Sequence, residues 1–431
     1  MTRARVVLHV GTPKTGTTYL QDLLWSNRDT LAGAGIQYPG DAPDAHFLAT
    51  LDLSYGNFHG WRDPALAGAW NRLVEAARQH SGTTVISHEL LGDLTPEQIA
   101  GVLSDLDFAE VHVVVTARDL GRQLPAVWQE DLKNRHFLPF EDLLALTRPD
   151  SSRPDVQRPG PGRPEGHGET FWLRQDVPAV LRRWGADLPG DQVHLVTLPP
   201  AGGRPTVLWE RFAEVLGVDP AIATARPRRR NTSLGHIEAE LLRQLNERLD
   251  YTVDWPLYQA TITDHLAGTV LADRPDVLPL ALPPAERGWV AARSAAMVAE
   301  LSHVDLRLIG DLDDLLVLPD PDTEPAAHPA SALLLDAALD ALAALLQACP
   351  PATGHADAPP AGTAGVSPAT VELPPEAVAL SPVESVPAER AVIRPRRRPW
   401  PVWRRAVPAP RVSRLPAAST DHRVDVGPAC H

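Results

Sequence analysis

The stretch RVVLHVGTPKTGTTYLQDLLW, residues 5–25, decides the fold. RVVLHV (5–10) is a short β-branched run that stops at Gly11, the pattern of a buried strand. After the turn, Leu20, Leu23, Leu24 and Leu31 recur at roughly helical spacing. The unit is therefore a strand, a glycine-rich turn and a helix. Gly11 and Gly16 bracket the turn, and Lys14 sits inside it. Backbone N–H groups in such a turn, followed by a helix N-terminus, make a cradle for an anion.

The same alternation continues along the chain. TTVISHELL (83–91), EVHVVVTARD (110–119) and DQVHLVTL (191–198) read as strands. TPEQIAGVLSDL (95–106) reads as a helix capped by Thr95, with Glu97 or Gln98 close by. A helix is expected through LGRQLPAVWQEDLKNR (120–135), where Pro125 marks a kink or a start. TVLWERFAEVLG (206–217) is an amphipathic helix closed by Gly217, and residues 235–247 and 284–302 are further helices. Residues 147–169 are rich in Pro, Gly and Arg and read as a long loop or lid. Strands alternating with helices predict a P-loop-like, three-layer α/β domain with a central parallel sheet. Ligands bind beyond the carboxyl ends of such strands. The glycine loop, His88–Glu89 and Arg118 all follow strand ends.

Composition sets the outer limits. The formal net charge of -14 argues against a nucleic-acid binder. Cys349 and Cys430 are the only cysteines, too few for a disulfide framework or a cysteine metal site. No signal peptide and no apolar run of membrane-spanning length are read, so a cytoplasmic protein is expected. The composition divides the chain into a globular domain, 1–317, and an Ala/Pro-rich tail, 318–431, expected to be largely disordered. The tail has one apolar helix at 331–349 and a basic segment at 394–414 with eight Arg and no acid. That segment reads as a solvated tail or as a contact for an acidic partner or membrane surface.

Of 40 basic residues only Lys14 and Lys133 are lysine. A chain that uses Arg for generic charge keeps Lys where a compact, flexible ammonium does what a planar fork does not. In a Walker loop, G-x-x-x-x-G-K-[ST], the lysine follows the second glycine. Here that position is Thr17, and the lysine has moved to position 14. A P-loop kinase is the rival reading, and a non-catalytic nucleotide-binding protein is another.

PKTGTTYL (13–20), after a strand and before a helix, resembles the phosphosulfate-binding loop of sulfotransferases that use 3′-phosphoadenylyl sulfate (PAPS). The resemblance implies that Lys14 is the catalytic lysine, bridging the leaving phosphate and the sulfuryl group. It implies that Pro13, Thr15, Gly16, Thr17 and Thr18 hold the 5′-phosphosulfate, and that no metal is required. The plain alternative for the threonines is helix capping. A strand-end arginine that grips the 3′-phosphate is matched by Arg118, but the serine eight residues on is Ala126. Gln123 or Arg122 is the candidate replacement, and an ion pair with Asp119 is the plain role for Arg118. The basic stretch RPRRRNTSLG (226–235) offers Arg228, Arg229, Arg230, Asn231 and Ser233 as a closing loop. The family's base is a histidine or a glutamate after the preceding strand, here His88, with Glu89 beside it to orient it or replace it. HFLATLDLSYGNFHGW (46–61) supplies His46, Tyr55, Phe58, His59 and Trp61 as candidates to line the acceptor cleft. Tyr55, His59 and Glu89 are the expected acceptor contacts. The acceptor is a carbohydrate, lipid or small-metabolite hydroxyl.

Overall fold

Six strands, each apolar along its length or paired at an edge, form one sheet. They are β1 (Ala4–His9), β2 (Ile36–Gln37), β3 (Thr83–Ser87), β4 (Ala109–Ala117), β5 (Val193–Thr197) and β6 (Arg307–Ile309). The order is β2-β3-β1-β4-β5-β6, and every pairing is parallel. The computed structural model describes residues 3–54, 64–149, 167–226, 233–275, 277–317 and 329–348. The chain divides into units Met1–Ala356 and Asp357–His431, and all described residues belong to the first.

Central strands of a parallel sheet are buried on both faces, so they read as continuous apolar runs. Successive residues point to opposite faces. Val6, Leu8, Val113 and Leu195 therefore pack into one core, with the helices Ala69–Gln79, Leu120–Lys133 and Val177–Gly185. Val7, Val85, Val114 and Val196 pack into the other, with helix α1 (Thr17–Ser26) and the helix Val207–Leu216. The three-layer α/β arrangement expected from the pattern is present.

Differences from the sequence pattern have local causes. The apolar run 83–91 leaves the sheet at Ser87, because His88 caps a 3₁₀ turn, Glu89–Asp93. The short edge strands β2 and β6 were not expected. Pro125 neither starts nor stops its helix, which runs from Leu120 to Lys133 through it. Thr95 and Gln98 form the expected capping box on Pro96–Asp105. Part of the supposed acceptor segment is a helix, Ala45–Leu53. The helix expected at 331–349 forms as Ser331–Ala348 and packs on the helix His236–Leu249. Arg274 ties it down through Asp336 and Asp340, while also pairing with the buried Glu238. Among the described residues no helix is long and apolar enough to cross a membrane.

Candidate functional site

β1 delivers the glycine loop to the carboxyl end of the sheet. Lys14 holds φ 64, a left-handed conformation that costs a lysine energy and is retained where its surroundings enforce it. Gly16 holds φ 79, and a Cβ there would lie 2.4 Å from Leu208 Cδ2. A larger residue there would strain the backbone and have to displace Leu208. Helix α1 starts at Thr17 with no side-chain cap, so its first N–H groups have no intrahelical partner. Thr18 is exposed, whereas Thr15 and Thr17 are buried.

The Thr15 hydroxyl is consumed within the protein. It bonds to the Thr12 carbonyl and to Thr116 Oγ1, the latter at 2.6 Å. Thr116 on β4 also meets His9 Nε2 at 3.1 Å, and His9 Nδ1 meets Ser87 Oγ at 2.8 Å. This buried network joins β1, β3, β4 and the loop. Burial pulls the His9 pKa down to about 4, so the ring is neutral. Nothing in the strand pattern distinguishes His9 from an ordinary strand residue.

Arg118 leaves the end of β4 and forms no ion pair among the described residues, although the charge of Asp119 acts on it. Asp119 turns instead to Arg122, capping the helix through the Arg122 N–H at 3.0 Å and pairing with Arg122 Nε. Arg118 donates from Nε to Gln123 Oε1 (2.7 Å) and from Nη2 to the Arg122 carbonyl (2.9 Å). Burial, with Arg122 nearby, pulls its pKa down to about 10, so it stays charged at neutral pH. A half-buried, charged arginine whose neighbouring acid, Asp119, is ion-paired to Arg122 is suited to an anionic ligand.

Gln123 is itself buried. Its Nε2 donates to the Pro13 carbonyl and to Gln175 Oε1, while its Oε1 holds Arg118. It therefore fixes the glycine loop and Arg118 relative to one another, and its own polar atoms are already engaged.

A cleft of about 760 Å³ opens beside Arg118, large enough for a nucleotide-sized ligand. Arg118, Arg122 and Arg287 line it together with the carboxylates Asp119, Asp313 and Asp314, and Ser233 and Leu282 are also in the wall. Gln129 holds the wall at Leu234 by two hydrogen bonds, of 2.8 and 3.2 Å. That places Ser233, the end of the basic stretch, at the cleft. Ala126 lines it too, so no hydroxyl is supplied there. Arg287 was missed because it sits in the helix Pro284–Leu301 without a loop motif to mark it.

β3 ends at Ser87, and His88 and Glu89 follow it. The His88 Nδ1 accepts the Leu90 N–H at 3.2 Å. In the neutral ring the proton is therefore on Nε2, and the free nitrogen is a donor. Burial keeps the His88 pKa below its ordinary value. Glu89 stands against Gly11, and its Oε2 accepts from Gln21 Nε2 at 3.1 Å. Burial pushes the Glu89 carboxyl up, but His88, the Glu89 N–H and Gln21 outweigh it and hold it below the usual range. Glu89 is ionised at neutral pH.

Lys14 Nζ pairs with Glu130 Oε2 at 2.9 Å. Burial raises the Glu130 pKa, but Lys14 and Lys133 together hold it below its ordinary value. Next to it, burial pushes the Asp131 carboxyl up to about 7, with Arg174 opposing and Glu130 adding to the rise.

His46 is a correction to the acceptor-cleft expectation. It is buried, stacked on Tyr38, with Nε2 at 2.8 Å from the Pro39 carbonyl and Nδ1 accepting the Ser87 N–H. It is a core residue. Tyr55, Phe58, His59, Trp61, Arg228, Arg229, Arg230, Asn231 and the basic segment 394–414 lie outside the described residues. Among the described residues no group of three His, Cys, Asp or Glu is placed to hold a metal. No protein-family model, no curated protein and no solved structure matches the chain.

Proposed function

We propose that this protein is a sulfotransferase that moves the sulfuryl group of PAPS to an acceptor hydroxyl of a carbohydrate, lipid or small metabolite. One observation carries the reading. A glycine loop with a lysine at its middle is fastened at Pro13, through Gln123, to a half-buried arginine that forms no ion pair among the described residues. The loop suits the 5′-phosphosulfate, Arg118 suits the 3′-phosphate, and the cleft beyond Arg118 suits the nucleoside.

In this reading the loop N–H groups and Lys14 neutralise charge on the departing phosphate. The acceptor oxygen attacks sulfur in line, the S–O bond to phosphate breaks, and the acceptor proton passes to a base. His88 was the expected base. Its Nδ1 lone pair is engaged by Leu90, so the proposal gives the proton to the ionised Glu89 and leaves His88 as a donor beside it. A side-chain base contributes ~10²–10⁴-fold. The products are the sulfated acceptor and 3′,5′-adenosine bisphosphate (PAP).

The kinase reading needs a lysine at Thr17, so it is the weaker one. Calorimetry separates the two. PAP is expected to bind wild type, to bind Arg118→Ala more weakly, and to be indifferent to Mg²⁺. Preference for Mg-ATP would promote the kinase. Binding of neither would leave a non-catalytic protein.

A further inference from the structure

Both lysines of an arginine-rich chain lie near one carboxylate, Lys14 by an ion pair and Lys133 by its place one turn along the same helix. Lys14 reaches Glu130 from the glycine loop, across 116 residues of sequence, at 2.9 Å. Lys133 lies three residues beyond Glu130 on the same helix, where side chains share a face. We propose that Lys133 is a positioning residue, the standing counter-charge that keeps Glu130 neutralised when Lys14 leaves it for the phosphate of a bound ligand. This rests on the function proposed above.

Lys14 has one ammonium and two claims on it. In the ligand-free chain Glu130 holds it. If Lys14 turned to an anion with nothing in its place, a partly exposed carboxylate would stand uncompensated next to that anion. Its surroundings make this worse, because the negative charge of Glu89 also acts on Glu130. Lys133 supplies the missing charge. The charges of Glu130 and Lys14 are both felt at Lys133, with opposite sign. A lysine suits the task, because its slender ammonium can share one carboxylate with another cation, whereas an arginine fork would clamp it bidentately.

The plainer role for Lys133 is a favourable cation at the C-terminus of its helix. The two roles part in a double-mutant cycle read by PAP calorimetry on the full chain. Lys133→Met is expected to weaken PAP by roughly tenfold, since Glu130 then holds Lys14 harder. Glu130→Gln is expected to bind at least as well as wild type. The double variant is expected to recover to within about threefold of wild type. Lys133→Gln repeats the series should the methionine variant not fold. A helix-end role predicts no rescue by Glu130→Gln, and that result overturns the proposal, as does unchanged affinity in Lys133→Met. If wild type itself does not bind PAP, the sulfotransferase reading fails first and takes this one with it.

Discussion

Lys14 and Glu89 are where the chemistry of the proposed reaction concentrates, and each supports a sharp expectation. Lys14→Ala and Lys14→Arg should both lose transfer, the arginine because its fork does not follow a single departing oxygen in the confined loop. Sulfate transfer from labelled PAPS across a panel of alcohol acceptors measures this, and full activity in Lys14→Arg would remove the argument for a point charge. Glu89→Gln should leave PAP affinity within about twofold while lowering turnover by ~10²-fold or more. His88→Gln should be milder, because its Nδ1 is a cap rather than a base. The reverse order would return the proton to His88. At this scale the sequence was informative for Lys14, whose isolation among arginines is itself a signal. It was uninformative for His46, whose burial depends on stacking on the nearby Tyr38 and on the N–H of Ser87, which a later strand brings to it.

The strand–turn–helix unit is held by more than its own residues. Gly16 packs against Leu208 in a different helix, and Thr15 hangs from Thr116 on β4. Gly16→Ala would combine a left-handed backbone with that contact. A cost of about 1–3 kcal/mol in urea unfolding is expected, with loss of PAP binding. Thr116→Val keeps the volume but leaves His9 Nε2 without its partner and takes one of two from the Thr15 hydroxyl. A similar loss of ~1–3 kcal/mol follows from unsatisfied buried groups. An unchanged denaturation midpoint in Thr116→Val would mean that the hydroxyl network does not hold the loop. The central strands were readable because parallel strands buried on both faces leave an unbroken β-branched run. β2 and β6 were not, since two or three residues at a sheet edge carry no period.

The partnerships that assemble the candidate site, Lys14 with Glu130 and Gln123 with Pro13, join residues more than a hundred positions apart. Motifs mark one side of such a pair and not the other. The same long-range closure buries three histidines on the sheet and its flank: His9, His46 and His194 are 0%, 2% and 1% exposed. Burial pulls each to a pKa of about 4, against 6.5 when free. His9 faces Ser87, Thr116 and the charge of Glu89. His46 faces Tyr38 and Pro39, with His88 nearby. His194 faces His112, with Arg5 and Arg307 adding positive charge. The sign follows from linkage. As pH falls below 6.5 the unfolded chain takes up protons that the folded chain refuses, so stability present above 6.5 is lost progressively down to about 4. Each histidine accounts for up to about 3 kcal/mol. Asp131 works the other way: its folded pKa of about 7 lies above the free value of 3.8, so protonation favours the folded state as pH falls through that window. Three histidines outweigh one aspartate, and a net loss of several kcal/mol is a large part of an ordinary domain's stability. Urea midpoints should therefore drop steadily from pH 7 to pH 4. His194→Gln should flatten that drop by about half, since it removes one of three like losses while the opposing gain from Asp131 stays. A midpoint that holds constant to about pH 5 would show that these rings accept protons without cost in the folded chain, and that the sheet interior is wetter than its packing implies.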